Sequence, residues 1–109
     1  MRLIQNGVEC EFWEVRSLLP ELLTDYEDGL REIAKRYHVY EVSGAEGRVL
    51  FDVNSEGKLI VRIYPRCEIV KGIGDIQKCI GVLQSLVQTD EFARLIRLAE
   101  IAHVVLTLK

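Results

Sequence analysis

No apolar run in this chain approaches the ~20 consecutive residues that a membrane-crossing helix needs. The opening residues Met1 to Gly7 hold no apolar signal core ahead of their turn residues, so no export is expected and the chain is read as cytoplasmic. Cysteine is sparse. Cys10, Cys67 and Cys79 form no Cys-x-x-Cys pair, and only His38 and His103 could join them, so no zinc-ligand spacing can be written. No metal and no cofactor is expected. The three thiols are read as buried core residues, with one disulfide among them as the alternative. Basic charge is also short: 14 Lys and Arg stand against 17 Asp and Glu, a net charge of −3. Nucleic-acid binders show a basic surface because phosphate neutralisation supplies most of their affinity, so the balance weighs against that partner.

What is there describes one domain spanning residues 1–109, large enough to bury roughly 65% of the surface its unfolded form exposes. Hydrophobic residues at 49% and charged residues at 28% are those of an ordinary globular protein rather than a disordered one. Arginine outnumbers lysine nine to five, which is compatible with a thermophilic source.

Asn6-Gly7 is a hairpin signal, since both residues tolerate the φ > 0 of a two-residue turn. Leu3-Ile4-Gln5 should pair back on Val8 to Phe12, with Val8, Cys10 and Phe12 on the covered face. From Leu19 to Tyr37 the apolar positions step by three and four, predicting one helix with Ser17 as its N-cap and Gly29 marking a close approach. Three strands should follow as a meander: Val39–Val42, Arg48–Val53 and Lys58–Tyr64, with Val49, Phe51, Val53, Leu59, Val61 and Ile63 facing inward. Cys67–Val70 reads as a short further strand. Asp75 is the expected N-cap of a helix to about Gln88, and Thr89-Asp90 opens a last helix from Glu91. Beyond Ile101 that helix is apolar nearly all round. It is read as helix to its end because no turn residue interrupts it, the competing reading being a terminal strand.

Lys71-Gly72-Ile73-Gly74 is the one stretch whose composition hints at ligand chemistry, because glycine N–H groups at a helix start can meet an anion. With Val70 and Lys78 it resembles the hairpin of helix-hairpin-helix DNA-backbone binders, a likeness confined to residues 70–78. That resemblance implies phosphate contacts at Lys71, Gly72, Gly74 and Lys78, to which Arg62 and Arg66 would add charge. The family pattern also has a helix before the turn, where this chain reads extended, and Asp75 would repel phosphate. His38 sits at an expected helix C-terminus and Cys79 on an apolar stripe. Each is explained by its structural position, and no catalytic residue is assigned.

The sequence therefore predicts an α+β fold, an antiparallel sheet of about five strands with three helices on one face, in the order β-β-α-β-β-β-α-α. Three amphipathic helices and five strands leave more apolar surface than one small core can cover. Surplus of that kind in a small domain becomes an interface. The leading expectation is a non-enzymatic, self-associating interaction or adaptor module, forming a homo-oligomer, most simply a dimer, through the C-terminal helices. Trp13, Leu95, Leu98 and Val105 are its candidate interface residues. A nucleic-acid-binding accessory role through the glycine turn is the alternative.

Overall fold

The computed structural model describes residues 1–66 and 73–108. Its elements in chain order are β1 (Arg2–Ile4), β2 (Gly7–Glu11), α1 (Phe12–Val15), a 3₁₀ turn (Arg16–Leu18), α2 (Glu21–Asp25), α3 (Glu27–Arg36), β3 (Tyr40–Ser43), β4 (Gly47–Val53), β5 (Leu59–Pro65), α4 (Ile73–Leu86) and α5 (Asp90–Thr107). The strands form one antiparallel sheet in the order β1-β2-β5-β4-β3. The α+β class and the five-stranded antiparallel sheet are as the patterning predicts. The helices number five among the described residues rather than three.

Two short helices account for the difference. β2 stops at Glu11, and Phe12 opens α1, where Glu11 and Glu14 form a reciprocal capping box. Phe12 remains buried, but from a helix rather than as the last residue of a strand. The expected helix over 19–37 is broken at Tyr26, whose φ of −108° and ψ of 34° lie outside the helical well. Ser17 lies in the 3₁₀ turn, and Pro20 occupies the N-cap position of α2 instead. The break re-aims the chain, so Leu30, Ile33 and Ala34 of α3 are buried while Leu22 and Tyr37, which share the same periodic stripe, are exposed.

The first hairpin turns one residue earlier than Asn6-Gly7. Ile4 pairs with Gly7, leaving Gln5 and Asn6 as the loop, and Asn6 alone of the two takes a positive φ, 66°. Gly7 is required for another reason: a Cβ there would collide with the Ile63 carbonyl oxygen and approach the Tyr64 ring to 2.7 Å. The glycine lets β2 lie close against β5.

Alternate strand residues Val8, Cys10, Val42, Val49, Phe51, Val61 and Ile63 point to the helical side and merge with Leu23, Leu30, Leu83, Leu86, Phe92, Leu95 and Ala99 into one core. Phe51 and Phe92 meet edge-on at 6.3 Å between ring centroids. Thr89 links the last two helices. Its hydroxyl donates to the Leu86 carbonyl at 2.6 Å and accepts from the Phe92 N–H at 3.3 Å, the N-cap role its sequence position suggests. α4 begins at Ile73, so Gly74 and Asp75 both belong to its first turn and Asp75 is not the cap. The Cys67–Val70 strand expectation lies outside the described residues. α5 continues as helix to Thr107, with no terminal strand. Among the described residues no helix is long and apolar enough to cross a membrane.

Candidate interaction surface

The sheet face opposite the helices is dressed with paired charge. Glu9 on β2 accepts from Arg2 of β1 and, at 2.9 Å, from Arg62 Nε of β5; Arg62 Nη1 reaches Asp52 of β4 at 3.0 Å. Arg48 pairs with Glu41 at 3.0 Å and lies 4.8 Å over the Tyr64 ring. The hydrogen bonds from Arg2 and then Arg62 hold the Glu9 carboxyl below its ordinary range, against the opposing effect of its burial. Cross-strand ladders of this kind stabilise a wetted sheet face and leave little apolar area for a partner. Both edge strands are short, three residues in β1 and four in β3, which limits edge-to-edge pairing.

The helical side is different. α5 carries two apolar stripes, each stepping 3-4-3 and roughly 120° apart around the helix at 100° per residue. Phe92, Leu95, Ala99 and Ala102 face the core and are buried. Leu98, Ile101, Val105 and Leu108 form the second stripe. Leu98 is half-buried, whereas Ile101 is 61% exposed and Leu108 81%. The stripe runs about 15 Å along the helix, with Val104 also exposed beside it. α3 supplies its other wall. Glu32, Ile33, Arg36 and Tyr37 line a groove of about 120 Å³ with Leu98, Ile101, Ala102, Val105 and Leu106.

α3 is drawn onto α5 by two contacts. A Cβ at Gly29 would collide with the Ala99 carbonyl oxygen and come within 2.9 Å of the His103 backbone nitrogen, so the backbones touch there. Beside it, His103 Nδ1 and Asp28 Oδ1 lie 2.7 Å apart, with the Tyr26 ring 5.0 Å from the imidazole and tilted 47° to it. Burial pushes the Asp28 carboxyl up, but hydrogen bonds from His103 and the Gly29 N–H outweigh it and leave it below its ordinary range. At the opposite end of the contact, Tyr37 and Tyr40 meet edge-on at 5.8 Å between ring centroids, and burial raises the Tyr40 phenol.

The four candidate interface residues are not brought together. Leu95 is fully buried and meets no partner while the domain is folded. Leu98 and Val105 belong to the outer stripe. Trp13 is 64% exposed, its indole N–H donating to Glu11 Oε2 at 2.7 Å, in a separate shallow cleft with Glu27 and Arg31. Those two α3 residues lie roughly 140° around the helix from Glu32 and Arg36, which wall the α5 groove. Ile101, Leu108 and Tyr37 complete the surface. The repeat of the 98-101-105-108 spacing beside 92-95-99-102 is the signal that marks the first two.

The described residues of the nucleic-acid alternative are brought together only in part. Arg62 is held by two carboxylates on the outer sheet face. Arg66 and Lys78 line one cleft with Glu46, Pro65, Gly81, Val82 and Ser85, where Lys78 lies 3.9 Å from Asp75. Gly74 lies in the first turn of α4, and Lys71 and Gly72 are outside the described residues. Of the thiols, Cys10 and Cys79 are buried, and burial together with the nearby Glu14 charge pushes Cys10 up to about 12. His38 takes a positive φ of 67° just past α3, on the surface. Among the described residues no group of three or more His, Cys, Asp or Glu side chains could hold a metal ion. Compared with protein-family models, curated proteins and solved structures, the chain matches none.

Proposed function

We propose that this protein is a non-enzymatic interaction module that works by self-association, two copies meeting through the outer stripe of α5 and the adjoining end of α3. The observation that carries this reading is the second 3-4-3 stripe, Leu98-Ile101-Val105-Leu108, in which Leu98 is half-buried and Ile101, Val105 and Leu108 are left exposed by every described part of the chain. Removing such side chains from water is favourable at about 25 cal/mol per Å². The sheet offers no competing surface, because its outer face is filled by ion pairs and its edges are short.

A second copy is the occupant that the pattern supports. Repeating 3-4-3 spacing is self-complementary, since each side chain can seat between those of an identical helix across a two-fold axis. Sedimentation equilibrium tests the reading. The wild-type chain of 12.5 kDa is expected to approach twice that mass as its concentration rises to hundreds of micromolar. Ile101→Glu, at an exposed position, is expected to stay monomeric with unchanged circular dichroism. A wild-type chain that remains at 12.5 kDa throughout overturns the proposal.

A further inference from the structure

We propose that Asn6 is a modification site, where the side-chain amide is lost spontaneously to the backbone nitrogen of Gly7 and the product loosens the first hairpin. This is independent of self-association. Asn6 and Gln5 form the loop between the paired residues Ile4 and Gly7. Asn6 is exposed, with a φ of 66°, and no described residue hydrogen-bonds its side chain. Gly7 has no Cβ to shield its nitrogen from the Asn6 carboxamide carbon. Asn54, the chain's other asparagine, is placed oppositely. Its Oδ1 accepts from the backbone N–H groups of Glu56 at 3.0 Å and Lys58 at 2.9 Å, which hold the carboxamide in a turn of its own, and Ser55 rather than a glycine follows it.

The step balances with water alone. The Gly7 nitrogen gives up its proton and bonds to Asn6 Cγ, the carboxamide nitrogen leaves as ammonia, and a five-membered imide remains. Water opens that ring at either carbonyl. One opening gives aspartate with the main chain unchanged. The other gives isoaspartate, in which the main chain runs through the former side-chain methylene. Pairing with Ile4 holds the Gly7 nitrogen in the closed hairpin, so the reaction follows the opening of β1, an edge strand of three residues. The longer main chain cannot be absorbed at Gly7, because the Ile63 carbonyl oxygen and the Tyr64 ring already fill the space beside its Cα. A two-residue loop cannot absorb it either and still set Ile4 opposite Gly7. β1 is therefore the element that gives way, and the edge of β2 is left unpaired.

The experiment ages the purified chain in mildly alkaline buffer and follows ammonia release, peptide masses and amide hydrogen exchange. Asn6 is expected to lose its amide first, with isoaspartate among its products, while Asn54 stays amidated over the same time. Exchange across β1 and β2 should quicken in step with the isoaspartate. Asn6→Gly accepts the positive φ and lacks the reacting amide, so it should age without either change. Fresh Asn6→Asp carries the new charge on an unlengthened main chain and should exchange as fresh wild type does. Loss at Asn54 as fast as at Asn6 overturns the site. So does an Asn6 that stays amidated while a free peptide of residues 2–11 converts. Exchange in fresh Asn6→Asp as fast as in the isoaspartate form overturns the role given to the longer main chain.

Discussion

Gly29 and Gly81 both lie inside helices, yet their surroundings are opposite. At Gly29 an added Cβ would run into the backbone of α5, whereas at Gly81 it meets nothing within 4 Å. Gly29→Ala is therefore expected to destabilise the domain by about 3 kcal/mol, since backbone cannot yield as a flexible side chain can. Gly81→Ala should instead stabilise it by about 0.5–1 kcal/mol through helix propensity alone. Urea unfolding of the two variants measures both, and equal effects would contradict the α3–α5 contact. Sequence reading goes part of the way here. A glycine in the strongest amphipathic helix signals a close approach, but only the fold shows that the approaching atoms belong to Ala99 and His103, some seventy positions along the chain. Asn6 and His38 illustrate the same limit, because φ > 0 at a residue other than glycine is set by the path of the chain on both sides.

At the scale of elements, the central strands owe their order to side chains that read simply as alternating charge. Glu9 is 13% exposed and joins β1, β2 and β5 through Arg2 and Arg62. Glu9→Gln is expected to cost about 1 kcal/mol at neutral pH, between the values for exposed and buried pairs. Its folded carboxyl titrates below the ordinary value of 4.5, so its contribution is complete above that pH and is lost as pH falls through the depressed folded value. Denaturation of wild type and variant from pH 7 to pH 2 should show the gap between them closing at the acid end. A gap constant with pH would mean the carboxylate contributes nothing in its charged form.

Strand positions were legible because period-two alternation has one solution per segment, as in Val49-Phe51-Val53 and Leu59-Val61-Ile63. The broken helix was not. Apolar steps of three and four from Leu19 to Tyr37 suit a straight helix and a kinked one equally, and only the cost of carrying Leu30 and Ile33 to the sheet decides between them. The opening of α1 was hidden for a similar reason: Phe12 is buried whether it ends a strand or starts a helix.

For the whole molecule, composition gave the useful warning that a small core could not cover every apolar face. It could not say which face would be left. Leu95 and Leu98 belong to different stripes of one helix, and periodicity treats the two as equals. The core, with α3 as the chief neighbour of α5, settles the matter by taking Phe92, Leu95, Ala99 and Ala102, and Leu98-Ile101-Val105-Leu108 is the remainder. That remainder runs beside the wall of Glu32, Arg36 and Tyr37 on α3, so the fold presents one apolar seam at the α3–α5 groove.

The most direct test of self-association through this surface is an isotope-filtered nuclear Overhauser experiment on mixed labelled and unlabelled chains at high concentration. Cross-peaks between methyls of the Leu98-Ile101-Val105-Leu108 stripe of one copy and those of the same stripe of the other are expected. Their absence in a sample whose mass is that of the single chain would contradict the account.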